Sequence, residues 1–234
     1  MLDAHLQKHL QRPLTALGRG LSAWSIQANT VTLIGFFAGL AAIPCLATQH
    51  YGWALGLICF NRFCDGLDGA MARLQGPTDF GGYLDIVCDF IFYAGVVWGM
   101  SLARPQEAGW AALLLFSFMG TASSFLAYAI LAAKQGQGKP QGKPQNKPQA
   151  LPKAFYYLGG LTEGAETIAL LVFFCLFPQW FVPASQVFSL MCWVTTLTRV
   201  LGARRLLAVE QESMERSPQF KDPKGKIEKQ GVES

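Results

Sequence analysis

From Trp110 to Ala133 the chain carries no charged residue, and several other stretches are nearly as apolar. Uninterrupted apolar runs of this length match the hydrocarbon thickness of a bilayer and leave no polar face for water. Backbone groups placed in hydrocarbon must be satisfied within their own segment, which restricts such runs to helices. Composition agrees: 51% of the 234 residues are hydrophobic and 15% are charged, against about a quarter charged in soluble domains. The predicted fold class is therefore an all-α membrane protein. Six spans are expected, at about Thr30–Thr48, Trp53–Arg73, Gly81–Leu102, Trp110–Ala133, Leu158–Phe177 and Pro183–Leu201. Pro44 is expected to kink or stop the first of these.

Ahead of the spans, Leu6, Leu10, Leu14, Leu17 and Leu21 recur at helical spacing among His5, Lys8, His9, Arg12 and Arg19. This predicts an amphipathic N-terminal helix lying in the membrane interface, with Pro13 a place where it could divide. No signal-peptide pattern is present. Residues 134–152 differ in kind: Gly-Lys-Pro-Gln recurs as a short repeat, and its prolines forbid a helix. A flexible basic linker is expected there, between the fourth and fifth spans. Residues 1–213 read as one membrane domain and 214–234 as a disordered polar tail.

Basic residues divide by side. Lys8, Arg12, Arg19, Arg62, Arg73, the lysines from 134 to 153 and all basic residues from Arg199 onward fall on one face of the predicted bundle, and Arg104 alone falls on the other. The positive-inside rule then places both termini in the cytoplasm. The net charge of +4 follows this topology and is no sign of nucleic-acid binding. The six cysteines all adjoin or lie within apolar runs without a Cys-x-x-Cys pair, and read as small buried hydrophobes.

Four aspartates interrupt the pattern. Asp65 and Asp68 end the second span, and Asp85 and Asp89 begin the third. Spacings of three and four put each pair on one helical face, and the turn-rich stretch Gln75–Phe80 lets the two helices run antiparallel. All four carboxylates then lie at one depth, at the cytoplasmic boundary. Like charges so close repel, and burial raises the cost. Oxygen-only donors suit hard divalent cations, so Mg2+ or Mn2+ is the expected remedy.

Asp65-Gly-Leu-Asp68-Gly69-Ala-Met-Ala72-Arg73, followed by Gly81, Asp85 and Asp89, resembles the CDP-alcohol phosphatidyltransferase family, whose pattern is Asp-x-x-Asp-Gly-x-x-Ala-Arg and then Gly-x-x-x-Asp-x-x-x-Asp. The gap between Arg73 and Gly81 is one residue shorter than the family spacing. Gly82 would restore it but would put the aspartates out of phase, so Gly81 is aligned. Asn29-x-x-Thr32 resembles a further family element ahead of the first span, with Ala28 in place of proline. The overall pattern looks like a bacterial inner-membrane branch.

The resemblance implies transfer of a phosphatidyl group from CDP-diacylglycerol to a small alcohol, with release of CMP, in phospholipid biosynthesis. It implies two bound ions, with Asp65, Asp68 and Asp85 as ligands, and Asp89 as general base and ligand of the second ion. Asn29, Thr32, Asp65, Gly69, Ala72 and Arg73 are the nucleotide-binding candidates. Small residues at 69 and 72 leave room for a flat ring or diphosphate, or else for a neighbouring helix. Lys153, Glu163, Glu166 and Arg199 are candidates for holding the acceptor; Glu163 and Glu166 have a structural alternative in pairing with Arg199. Membrane dimers are common in that family, so a homodimer is an expectation. A CDP-choline or CDP-ethanolamine type donor, and from a different class a divalent-cation transporter, are the rival readings.

Overall fold

A computed structural model describes residues 2–137, 162 and 164–215 of the chain. Seven α-helices account for most of them: α1 Leu2–Ala23, α2 Ala28–Ala47, α3 Tyr51–Gln75, α4 Asp79–Ala103, α5 Ala108–Gln137, α6 Gly164–Leu176 and α7 Phe181–Glu215. Two short 3-10 turns, Pro105–Glu107 and Pro178–Trp180, lead into α5 and α7. No strand occurs among the described residues. Most of the expected basic linker, together with Lys153, Glu163 and the tail from 216, lies outside the described part.

Four stretches are long and apolar enough to cross a membrane: Ala28–Ala47, Asp79–Ala103, Pro105–Leu131 and Pro178–Arg204. Of the other two expected spans, α3 has the length, at 25 residues, but carries Arg62, Asp65, Asp68 and Arg73. α6 is apolar but has only 13 described residues. Large apolar side chains such as Phe37, Phe116, Met119 and Leu190 point outward, as lipid-facing positions require.

Helix ends follow local chemistry. α1 runs straight through Pro13, and α2 continues past Pro44 to Ala47; the expected break at Pro44 is thus displaced to the helix end. Each of these helices is followed by a residue in the left-handed region, Ser25 (φ 59°) after α1 and Gln49 (φ 61°) after α2. The next amides reach back into the last turn: Ile26 N donates to Leu21 O at 3.3 Å, and His50 N to Cys45 O at 2.7 Å. These are Schellman closures, made here without the usual glycine. α4 begins at Thr78, whose Oγ1 accepts from Gly81 N at 3.0 Å. On the opposite side of the bundle, Arg104 donates to both carboxylate oxygens of Glu107, at 2.5 and 2.6 Å. That bond raises the guanidinium above its usual range.

α2 lies against both α3 and α4, and glycines let it do so. A Cβ at Gly35 would stand 2.5 Å from Cys64 Cβ, and one at Gly39 would stand 2.6 Å from the Phe92 ring. Asn61 of α3 completes the seam by donating its Nδ2 to Gly35 O at 2.9 Å. Away from the aspartates, Ala42, Leu46, Ile58, Phe92, Val96 and Met100 join Leu114, Leu171, Phe174 and Phe181 in the main core. A smaller cluster of Val31, Cys64, Leu67 and Met71 receives Leu14 and Leu21 from α1. The apolar stripe of the N-terminal helix therefore packs on protein over at least this part of its length.

Candidate functional site

The antiparallel pairing of α3 with α4 brings Asp65, Asp68 and Asp85 together. One carboxylate oxygen from each lies within 4.8 Å of the others. Asp68 is the most buried, with 5% of its surface exposed, and its Oδ2 has no hydrogen-bond partner. Three converging carboxylates, one of them buried with an orphaned oxygen, are costly unless a cation is shared among them. Hard oxygen donors at this separation fit a divalent ion of the Mg2+ or Mn2+ kind.

Asp89 borders the same crevice but is held differently. Arg62 Nη2 donates to its Oδ1 at 2.6 Å, and the Tyr93 hydroxyl donates to its Oδ2 at 3.0 Å. Arg62 is fixed in turn: its Nε donates to Asn61 Oδ1 at 2.8 Å, and its guanidinium lies 4.8 Å from the Phe92 ring centroid. A second contact links it to Asp65, at 3.7 Å. The structure thus sorts the four aspartates into three clustered carboxylates and one held by hydrogen bonds from Arg62 and Tyr93.

Arg62, Tyr93 and Asn61 were not legible as site residues. Arg62 counts in the sequence as one more cytoplasmic cation, yet only 13% of its side chain is exposed. An arginine this deep in an apolar helix needs a partner, and that requirement was the available signal. Gln75 was also missed. Its Oε1 accepts from Ala28 N at 3.1 Å, and its Nε2 donates to Ser22 Oγ at 3.0 Å and Ile26 O at 2.7 Å. One side chain at the end of α3 therefore fixes the α1–α2 junction and the start of α2.

That junction positions Asn29 and Thr32. Thr32 lines the crevice with the aspartates and donates to Ala28 O at 3.2 Å. Asn29 abuts the first turn of α4: a Cβ at Gly81 would lie 3.1 Å from Asn29 Oδ1 and 2.9 Å from Thr78 Oγ1, while one at Gly82 would meet nothing within 4 Å. The requirement for glycine therefore falls on Gly81, in agreement with the alignment that keeps the aspartates in phase. Gly69 is the converse case. A Cβ there would meet only Arg73 Nη1, at 3.6 Å, so no described neighbour requires glycine at that position. Helix packing explains Gly35 and Gly39 but not Gly69. Ala72 is half-buried one turn further on, and Arg73 is exposed in the last turn of α3.

The acceptor candidates lie elsewhere. Arg199 of α7 donates its Nη1 to Thr121 O of α5 at 3.0 Å and stands 5.6 Å from the Phe125 ring centroid. With Arg204 and Tyr128 it lines a groove of about 480 Å³ between α5 and α7. Glu166 is half-buried in the first turn of α6. Lys153 and Glu163 lie outside the described residues.

A bundle of apolar helices with a carboxylate cluster sunk at the end of one helix pair defines a membrane protein with an acidic site whose donors fit a divalent cation. The sequence profile of the CDP-alcohol phosphatidyltransferase family matches residues 25–201, and the chain belongs to that family, whose members are enzymes that transfer phosphatidyl groups. It is 48% identical over 204 residues to the inner membrane protein YnjF of Escherichia coli K12, covering 86% of this chain and 94% of that one. It is 33% identical over 98 residues to the archaetidylinositol phosphate synthase of Pyrococcus horikoshii, a match that spans 42% of this chain and 52% of the relative. Among solved structures, the phosphatidylinositol phosphate synthase of Mycobacterium tuberculosis with CDP-DAG bound superposes with a TM-score of 0.51 at 22% identity, over 94% of this chain and 100% of that one. The same enzyme in complex with manganese and citrate gives 0.51 at 19% identity, over 81% of this chain and 88% of that one. These two likenesses are of fold.

Proposed function

We propose that the chain transfers the phosphatidyl group of CDP-diacylglycerol to a small alcohol, releasing CMP, with Mg2+ or Mn2+ as cofactor. The observation that carries this reading is the convergence of Asp65, Asp68 and Asp85, with the Oδ2 of Asp68 buried and unpartnered among the described residues, beside a glycine that no described neighbour explains. The acceptor hydroxyl oxygen forms a bond to the lipid-side phosphorus of the diphosphate. The bond from that phosphorus to the bridging oxygen breaks, and CMP leaves with the electron pair. Asp89 takes the hydroxyl proton. Asp65, Asp68 and Asp85 would hold the cation, which when bound would supply charge neutralisation for the diphosphate. A second ion in the complete site would draw on Asp89.

Asn29, Thr32, Gly69 and Ala72 are the residues against which the cytidine and diphosphate lie, and Arg73 adds an always-charged partner for the diphosphate. The acceptor carries a phosphate, in this proposal, and is a polyol phosphate. Support comes from Arg199 and Arg204 in the α5–α7 groove and from the relatives named as inositol phosphate lipid synthases. Glu166, in the first turn of α6, is a further acceptor candidate, as Lys153 and Glu163 are from the sequence alone. The membrane arrangement we propose has six spans, with α3 and α6 crossing besides the four apolar helices, both termini and the site facing the cytoplasm of a bacterial inner membrane, and α1 along the interface. Residues 1–213 form the enzyme unit and pack as a homodimer in this reading.

Purified protein incubated with CDP-diacylglycerol, Mn2+ and a panel of alcohols tests it, with the lipid product read by mass. A product bearing a phosphorylated polyol supports the assignment. CMP release with an unphosphorylated acceptor would refute the acceptor class, and no CMP with any acceptor would refute the donor.

A further inference from the structure

The groove between α5 and α7 is larger than a phosphate group needs. At about 480 Å³ it falls within the range of sites that enclose a drug-sized ligand, about 300–1,000 Å³. The two helices touch at Gly120, where a Cβ would stand 3.1 Å from Thr196 Oγ1 and 3.2 Å from the Trp193 ring. One turn further along each helix, at Ser124 and Arg199, the groove opens and continues to Leu131 and Leu207. Arg199 braces the closed end by donating to Thr121 O at 3.0 Å, and Arg204 is exposed farther along. The rest of the wall is largely apolar, with Ala127, Leu131, Val200, Ala203 and Leu207. The apolar stretches of both helices end inside the groove, at Leu131 and at Arg204, so it lies where hydrocarbon gives way to head groups. None of the four aspartates lines it.

We propose that this groove holds a phospholipid with a terminal phosphate: the phosphate lies on Arg199 and Arg204, and an acyl chain lies along the apolar wall. The proposal deepens the acceptor reading given above and rests on it in one respect, that lipid and soluble acceptor share one pair of arginines. A polyol phosphate alone has no use for the apolar wall, whereas a phospholipid matches both parts. Charge complementarity fixes the class. Two guanidiniums bind phosphate oxygens through charge-assisted hydrogen bonds, and basic pockets between membrane helices on the cytoplasmic side suit anionic head groups. Each methylene of the chain that the wall covers adds affinity that a soluble phosphate cannot gain. The product of the proposed transfer is a lipid of this class, so it would compete with the acceptor for the same arginines and restrain the reaction as it accumulates.

Native mass spectrometry of the full chain in neutral detergent, with dioleoyl phosphatidic acid or dioleoyl phosphatidylcholine added, tests this without turnover. Phosphatidic acid is expected to bind at least about tenfold more tightly than phosphatidylcholine, each arginine near the head group contributing about fivefold. Arg204→Gln is expected to weaken phosphatidic acid binding by about fivefold, the effect of one lost cation. Ala203→Phe fills the apolar wall and keeps both cations, and it is expected to weaken phosphatidic acid binding as well. Equal binding of the two lipids by the native chain, or native affinity for phosphatidic acid in either variant, would overturn the proposal; the native chain and the exposed Arg204 position decide it even where Ala203→Phe does not fold. Glycerol 3-phosphate and inositol phosphate separate this from the acceptor reading. Displacement of bound phosphatidic acid by either supports the shared arginines. Selective lipid binding that neither displaces would remove the acceptor phosphate from Arg199 and Arg204 while the lipid site stands.

Discussion

Gly69 and Gly35 sit on α3 and α2, and alanine at the two positions is expected to act in opposite directions. At Gly35 the new Cβ would lie 2.5 Å from Cys64 Cβ, well inside the separation of about 3.5–4.0 Å at which carbon atoms attract. Backbone of one helix and side chain of the next must part, and overpacking of this kind costs about 1–3 kcal/mol. At Gly69 the new Cβ meets only Arg73 Nη1 at 3.6 Å, an ordinary contact with a movable group. The helix instead gains about 1 kcal/mol from replacing glycine by alanine. In a chain of this size about 1 kcal/mol moves the unfolding midpoint by roughly 2–4 °C. Thermal unfolding in detergent should therefore show Gly35→Ala lowered and Gly69→Ala unchanged or raised. Catalysis reverses the order for the second variant: kcat/KM for CDP-diacylglycerol should fall by about tenfold or more, a loss of about 1.4 kcal/mol in transition-state stabilisation. Gly69→Ala that is stable and fully active would refute the claim that this position is kept open for a ligand.

Further outcomes follow from the same geometry. Asp68→Asn removes a buried carboxylate with an unpartnered oxygen, so the metal-free protein should unfold at a higher temperature. The same variant should lose the Mn2+-induced stabilisation of the native chain, about 2.7 kcal/mol at a hundredfold excess over Kd, as read by differential scanning fluorimetry with and without chelator. Gln75→Ala deletes three hydrogen bonds at the α1–α2 junction; at about 1 kcal/mol or less apiece in this exposed setting, it should lower the unfolding midpoint and weaken CDP-diacylglycerol binding through Asn29 and Thr32. Gly81→Ala should impair folding or turnover, because its Cβ would press on Thr78 and Asn29, whereas Gly82→Ala, with open space around it, should be silent in both assays.

What the sequence disclosed was the part governed by spacing and solvent preference. Apolar runs located the helices, and the intervals within each aspartate pair put both members on one face of α3 or α4. Gly81 could be chosen over Gly82 by phase alone, and the close approach of Asn29 supplies the reason. What it hid depends on contacts between distant segments. Arg62 reads from sequence as a topological charge, and only the approach of α4 shows it bound to Asp89. Gln75 reads as a turn residue, and its hydrogen bonds run to positions some fifty residues earlier. Small residues at 35, 39 and 69 look alike in sequence; which of them face a helix and which face open space is settled by packing. At Pro13 the helix is continuous where the sequence allowed a division, and α2 ends three residues beyond Pro44.

CMP formation from CDP-diacylglycerol and a phosphorylated polyol, followed in the native chain and in Asp85→Asn, with Mn2+ present and then chelated, tests the central claim most directly. CMP is expected from the native protein with Mn2+, and none after chelation or in a folded Asp85→Asn variant. Undiminished CMP release from that variant, or from metal-stripped native protein, would contradict the claim.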